Sequence, residues 1–380
     1  CRPVGGRRMN IANWLDASAR RTPDAPALFY GTELHADYRG FAARARRIGK
    51  GLARTHGLSE GDRVAIFLKN CPEVLELIFG IWWIAAAAVP INAKLHAKEV
   101  AYILSDSGAG LLVSDSGDVG DQAGSTDCPE IALGGVEWQH LIETDDCGGA
   151  PLTRGRDDLA WLFYTSGTTG RPKGVMLSHG NLISMSLCYA IDVDQVSSEQ
   201  TILYPAPMSH GGGLYALPYI RAGARHVVPL SRGFNASEIE QLARHFDETV
   251  YFAAPTMIRR QIELSRANGY RGEGIRTIIY GGGPMYSGDL DDALELFGGR
   301  FAQIYGQGES PMTITVMSRD MIVDKAHPNW RTRRESVGIA QACIEIRIAD
   351  EDLCDLPPGV PGEILVRGDT VMIGYWRNDA

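Results

Sequence analysis

Apolar residues along this chain gather in short runs, separated by longer stretches with helix-like apolar spacing. The runs include RVAIFL (63–68), GLLVSD (110–115), WLFYTSG (161–167), HVVPL (226–230), VYFAAPT (250–256) and TIIYGGG (277–283). They read as buried strands, being rich in β-branched and aromatic residues and bounded by turn formers. Helices are predicted between them over Pro72–Ala88, Ser237–Phe246 and Asp289–Phe297, and AVPIN (88–92) follows the first as a further strand. Such alternation predicts an α/β fold with mainly parallel sheets, whose ligand-carrying loops lie at the carboxyl ends of strands. Three glycine-rich segments fall at such ends, after Phe163, Tyr280 and Ile304.

The texture changes over 336–380. There CIEIRIADEDLCDLPPGVPGEILVRGD (343–369) reads as short strands joined by an acidic turn and a Pro/Gly turn, predicting a small antiparallel barrel or sheet. Residues 115–150, rich in Gly, Asp and Ser, read as a surface excursion. The most apolar run, LIFGIWWIAAAAVPI (77–91), is too short to span a bilayer and is bracketed by Glu73, Glu76 and Pro90. It is expected to be a core helix followed by a buried strand. No internal repeat is visible.

Composition narrows the function classes. With 380 residues, 44% hydrophobic and 22% charged, the chain has the make-up of a globular protein with a sizeable core. A net charge of -9 argues against nucleic-acid or anionic-membrane partners, which require a cationic surface. The seven cysteines are scattered without metal-ligand spacing, so reduced thiols in a cytoplasmic setting are expected, with no structural zinc. Residues 1–8, CRPVGGRR, read as an extension before Met9, which opens a polar segment rather than a secretory leader.

YTSGTTGRPKGVMLSH (164–179) carries the most chemistry. Counted from Gly167, the nucleotide-hydrolase pattern G-x-x-x-x-G-K-[ST] fails, with Pro172 at the second glycine and Gly174 after Lys173. The ingredients are nevertheless those of an anion cradle. Gly167 and Gly170 let backbone N–H groups face a ligand, and Thr165, Ser166, Thr168 and Thr169 add hydroxyls. Lys173 adds a mobile charge, and Pro172 disfavours helix at Arg171, which makes this an open loop. By composition alone, a Ser/Gly-rich surface turn is an equal alternative.

The full string resembles the signature loop of the adenylate-forming superfamily, which comprises acyl- and aryl-CoA synthetases, peptide-synthetase adenylation domains and firefly-type luciferases. Further segments resemble that family in order. They are YPAPMSHGGG (204–213), YFAAPTM (251–257), IIYGGGPM (278–285), QIYGQGES (303–310), VGIAQACIEIRIADED (337–352) and GEILVRGDTVMIGYWRN (362–378). The likeness is nearest to acyl-CoA synthetases. It implies two packed parallel-rich βα subdomains (9–335) and a small distorted antiparallel barrel (336–380), together forming a large N-terminal domain. A T-G-D stretch, a hinge and a small C-terminal lid domain would follow Ala380, and the chain without them is expected to be weakly active.

In the family a carboxylate attacks the α-phosphate of ATP, and a thiol, usually of CoA, then displaces AMP from the acyl-adenylate. The resemblance implies that the 165–173 loop, including Lys173, holds the departing pyrophosphate. It gives Glu309 the role of holding Mg²⁺ and lets Tyr305 pack on adenine. Gly281, Gly282 and Gly283 become a flat wall for nucleotide and acyl group, with Gly306, Gln307 and Gly308 beside them. His210 falls near the acyl and pantetheine channel. Gly308 departs from the family pattern, which has a threonine there whose hydroxyl reaches the α-phosphate. A backbone N–H, Gln307 or Ser310 would have to substitute.

Leu214, Tyr215, Leu217, Phe252, Met257 and Met312 suggest an apolar acyl channel. FNAS (234–237) lacks the aspartate of amino-acid-activating relatives, and Ser237 with Glu240 reads as a helix capping box. Arg331, Arg333 and Arg334 read as a solvated basic loop. The function expected is an ATP-dependent acid–CoA ligase for a fatty, alicyclic or aromatic acid. Loading of a carrier-protein thiol and a catalytically silent homologue are the alternatives.

Overall fold

The computed structural model describes residues 9–120, 127–146, 148–165 and 171–378. Its strands in chain order are β1 (Pro26–Tyr30), β2 (Glu33–Asp37), β3 (Arg63–Phe67), β4 (Ala87–Pro90), β5 (Leu111–Ser114), β6 (Glu130–Ala132), β7 (Leu159–Thr165), β8 (Lys173–Ser178) and β9 (Thr201–Leu203). They continue as β10 (Arg225–Val228), β11 (Thr249–Ala253), β12 (Ile275–Tyr280), β13 (Phe301–Gln307), β14 (Ser310–Met317), β15 (Ile339–Ala340), β16 (Ile344–Ala349), β17 (Glu363–Gly368) and β18 (Gly374–Tyr375). A nine-stranded sheet runs β15-β14-β13-β12-β11-β9-β10-β1-β2, and a seven-stranded sheet runs β18-β8-β7-β4-β3-β5-β6. The inner pairs of both sheets are parallel; antiparallel strands close both edges of the nine-stranded sheet and the β18 edge of the seven-stranded one, while β6 at its other edge is parallel.

The most apolar run does what its pattern predicts, with one shift of boundary. Its helix is Pro72–Trp83, ending five residues before the predicted Ala88, and β4 follows at once. The break falls at Ala85, a buried alanine with φ 62°. Apart from Glu73 and Glu76 the helix Pro72–Trp83 is apolar, and every residue but Glu73 is buried, as in an interior helix. One continuous apolar cluster joins it to residues of both sheets, among them Leu28, Ile66, Trp161 and Ile202. It crosses the helix Tyr38–His56 where Gly49 meets Gly80. A Cβ on Gly49 would lie 2.5 Å from the Gly80 carbonyl oxygen, so only glycine allows this approach.

Three expectations are corrected. The 115–150 segment is more than a surface excursion: β6 extends the seven-stranded sheet, and the helix Val136–Ile142 buries Trp138 and Leu141. The cap of the helix Ala236–Phe246 is Asn235, whose Oδ1 accepts from the Glu238 N–H at 3.2 Å. Glu240 instead faces inward to Gln261, Ser265 and Asn268. The terminal strands are antiparallel as expected but do not close a barrel. β16 and β17 pair only with each other, while β15 and β18 join the edges of the two large sheets. Two-residue strands such as β15 and β18 are too short to close a barrel, and each instead completes an existing edge.

A buried carboxylate ties β2 to the two crossing helices. The Glu76 side chain is fully buried, and its Oε1 receives His35 Nε2 at 2.9 Å and Arg44 Nε at 2.6 Å. Burial pulls the His35 pKa down, but the hydrogen bond and charge of Glu76, with help from Glu73, outweigh it and raise the pKa above 6.5. The folded state therefore favours protonated His35. Its contribution to stability is fully present below pH 6.5 and is lost as pH rises through the higher folded value. We expect the urea midpoint to fall across that rise in the native protein. It should stay flatter in His35→Gln, and equal slopes for the two proteins would contradict the assignment.

Candidate active site

The carboxyl-end loops of the two sheets face each other across a cavity of about 570 Å³. One wall comes from the seven-stranded sheet, with Ile91 after β4, Leu95 and Ile103 of the following segment, and Phe163, Tyr164 and Thr165 of β7. The other comes from the nine-stranded sheet, with His210, Gly282 and Gly308. Pro172 stands where β8 begins. Sequence motifs pointed to most of the second wall. Ile91, Leu95 and Ile103, with Asn92 and Glu99 between them, belong to a segment that matched no motif, and only its place after a strand end could have signalled it.

The signature loop connects β7 to β8 as a hairpin, with Thr165 opposite Lys173 in the ladder. Ser166, Gly167, Thr168, Thr169 and Gly170 lie outside the described residues. Gly174 is closely packed: a Cβ there would come within 3.1 Å of Leu162 and Tyr164 and 3.2 Å of Trp376.

The glycines after β12 do different jobs. A Cβ on Gly281 would lie 2.5 Å from the Ile304 carbonyl oxygen, so this residue admits the neighbouring strand. Gly282 has φ +73°, and a Cβ on Gly283 would meet Pro255 Cδ at 4.0 Å, an ordinary contact. Only Gly282 of the three lines the cavity. Within β13, Gly306 is pressed against Met312, whose own φ of 61° is unusual for a side chain of that size. Tyr305 is half-buried and its hydroxyl accepts from Gln307 Nε2 at 3.1 Å. Ser310 is turned inward and bonds the Thr313 carbonyl and the Thr370 hydroxyl, which removes it as a stand-in for the missing threonine.

The expected apolar channel residues are mostly core. Leu214, Tyr215 and Leu217 are buried, while Met257 packs with Phe234 and Tyr251 away from the cavity. His210 stands edge-on to Phe163 at 5.3 Å, and its Nδ1 is 2.9 Å from Ser209 Oγ. Burial lowers its pKa, so it is neutral at pH 7. Of the arginine cluster, Arg333 and Arg334 are paired with Asp324 and Asp291, and Arg331 lies over Trp330.

Glu309 and Lys173 meet the same residue, one absent from the sequence expectations. The Tyr375 hydroxyl donates to Glu309 Oε1 at 2.6 Å, and Lys173 Nζ sits 5.1 Å from the Tyr375 ring centroid. The bond to Glu309 is the main cause pushing the Tyr375 pKa up to about 12, which keeps the phenol a donor. Among the described residues no group of three or more His, Cys, Asp or Glu side chains could hold a metal. The lone carboxylate of Glu309 fits a Mg²⁺ ion carried mainly by substrate phosphates and water, rather than an all-protein metal centre.

Gly308 has a steric reason. A Cβ there would lie 2.3 Å from Thr165 Cγ2 and 3.1 Å from Phe163, so the β7 threonine already fills the space a side chain would need. We expect Gly308→Ala to destabilise the protein by about 1–3 kcal/mol through overpacking. Adding Thr165→Ser, which removes Cγ2, should restore most of the loss in thermal unfolding. Additive losses in the double variant would contradict this contact.

Comparison with known proteins bears on the fold and the family. Residues 15–376 match the family described as AMP-binding enzyme. The chain is 32% identical over 375 residues to a feruloyl-CoA synthase of Amycolatopsis, covering 97% of this chain and 72% of that protein. It is 30% identical over 371 residues to the fatty acid–[acyl-carrier-protein] ligase ScoC of Streptomyces coeruleorubidus, covering 94% of this chain and 69% of that one. The inhibitor-bound N-terminal domain of FACL13 from Mycobacterium tuberculosis superposes with a TM-score of 0.85 at 25% identity, covering 97% of this chain and 92% of that structure. From the match along nearly its whole length and the shared architecture, the chain belongs to the AMP-binding enzyme family, whose homologues here are acyl-CoA synthetases and ligases.

Proposed function

We propose that the protein is an ATP-dependent, AMP-forming carboxylic acid–CoA ligase for an apolar fatty, alicyclic or aromatic acid. The observation that carries this reading is the cavity itself. Tyr164, Thr165 and Pro172 of the signature hairpin and a largely apolar wall face His210, Gly282 and Gly308 across one space, and Glu309 follows Gly308 in the chain. The acid's carboxylate oxygen attacks the α-phosphorus of ATP, the bond to the bridging oxygen breaks, and pyrophosphate leaves. The CoA thiol then attacks the acyl carbonyl carbon, forming a thioester and releasing AMP.

The chain contributes positioning and charge rather than a nucleophile. Lys173 and the hydroxyls of the 165–170 loop hold the β- and γ-phosphates. Glu309 holds Mg²⁺, which when bound neutralises charge on the phosphate oxygens. Ile91, Leu95, Ile103 and Phe163 exclude water around the acyl group, and neutral His210 lines its path without adding charge. Tyr305 and the Gly306–Gly308 turn face the adenine and α-phosphate side, with Thr165 against Gly308 supplying the volume of the family's threonine. The free cysteines fit a cytoplasmic enzyme. A carrier-protein thiol in place of CoA is the second reading, favoured by the likeness to ScoC.

The test is acid-dependent exchange of pyrophosphate into ATP by the intact protein, across a panel of fatty, alicyclic and aromatic acids. Exchange is expected with at least one apolar acid. It should fall roughly 10²–10³-fold in Lys173→Ala and in Glu309→Gln, the usual cost of removing a charge-stabilising group. Exchange with no acid would mark a silent homologue. Thioester formation with CoA, against formation on a carrier protein, separates the two acceptors.

A further inference from the structure

The last strand is the place to look for a residue that no motif reading assigned. β18 is two residues long, yet the segment around it touches both halves of the site. On one side it pairs antiparallel with β8, Tyr375 opposite Val175, and the Ile373 and Trp376 N–H groups bond the Met176 and Gly174 carbonyls at 2.9 and 2.7 Å. On the other side the Met372 N–H bonds the Glu309 carbonyl at 2.7 Å. The backbone at Tyr375 is thus held by the strand that begins at Lys173 and by the turn that carries Glu309. With the backbone fixed in this way, the hydroxyl bond to Glu309 sets the direction of the ring.

Resting on the reading of this cavity as a nucleotide site, we propose that Tyr375 is a positioning residue that sets Glu309 and Lys173 as a fixed pair of opposite charges facing the metal-bound polyphosphate. The carboxylate and the ammonium meet two parts of one phenol, the hydroxyl and the ring, rather than each other. A direct ion pair would cancel the charges that a cation and a pyrophosphate need. The neutral phenol keeps them apart, and its hydrogen bond uses Oε1, leaving Glu309 Oε2 for a cation. The ring face attracts the lysine without supplying a competing anion.

The two contacts can be removed separately. Tyr375→Phe loses the hydroxyl and keeps the ring, while Tyr375→Leu loses both. Calorimetric titration of the intact protein with ATP, with Mg²⁺ and with chelator, reads each contact. In Tyr375→Phe the gain in ATP affinity that Mg²⁺ confers should fall roughly tenfold, the value of a charge-assisted hydrogen bond. Affinity for metal-free ATP should be unchanged in that variant. Tyr375→Leu should in addition weaken metal-free ATP roughly threefold, because Lys173 loses its seat. A native-size Mg²⁺ gain in Tyr375→Phe overturns the proposal. So does an equal loss of affinity with and without Mg²⁺ accompanied by a lowered unfolding midpoint, which would mean a structural role. If Glu309→Gln keeps the full Mg²⁺ gain, or the native protein binds no ATP, the reading of the site itself falls, and the proposal with it.

Discussion

Two sheets that share no hydrogen-bond ladder have to present their loops to each other at ångström precision, and the segment 369–376 is the constraint that makes this possible at the cavity. It runs across the gap and is fastened on both banks. Asn181 Nδ2 donates to the Asp369 and Val371 carbonyls, Thr370 meets Ser310, and Trp376 Nε1 donates to the Asp106 carbonyl. Deeper in the molecule the same two sheets are held apart by the apolar helix Pro72–Trp83, a spacer that hydrophobic burial keeps in place. Spacer and strap each join residues of both sheets. Together they turn the orientation of the sheets into a property of the fold rather than of any ligand.

The parts legible in the sequence were those that repeat. Period and composition located the inner strands and the buried helix, because parallel strands covered on both faces must be continuously apolar. Gly308 was legible as a departure from a pattern, but its cause was not. That cause is a methyl group of Thr165, far away in the chain and adjacent in space. The inward turn of Ser310 and the capping role of Asn235 depend on side-chain direction, which residue type alone does not give. β18 was illegible for a simpler reason. Two residues carry no periodicity, and a tyrosine at a strand end is normally read as packing.

The apolar wall shows the same limit from another side. Ile91, Leu95 and Ile103 follow a strand that pairs in the middle of the seven-stranded sheet, and nothing local separates a residue facing a cavity from one facing the core. Only the crossing of the two sheets decides which apolar side chains are left uncovered. Chemistry-bearing residues announce themselves by type; the surface that selects a substrate does not.

The helix His179–Cys188 ends in a π-helical turn, Tyr189–Val193, wound with wider hydrogen-bond spacing than the helix before it. Asp192 and Asp194 lie at its end and face different partners. Asp192 receives the Ala342 N–H at 2.8 Å, while buried Asp194 receives Thr277 Oγ1 at 2.5 Å and lies beside Arg276 and Arg319. Each residue in an ordinary helix advances the next side chain by about 100°. Shortening this turn by one residue would swing both carboxylates around the axis together, stranding Asp194 away from its arginines. The length of the turn is thus a phase setting, fixing by residue count alone which acid enters the interior and which reaches the terminal strands.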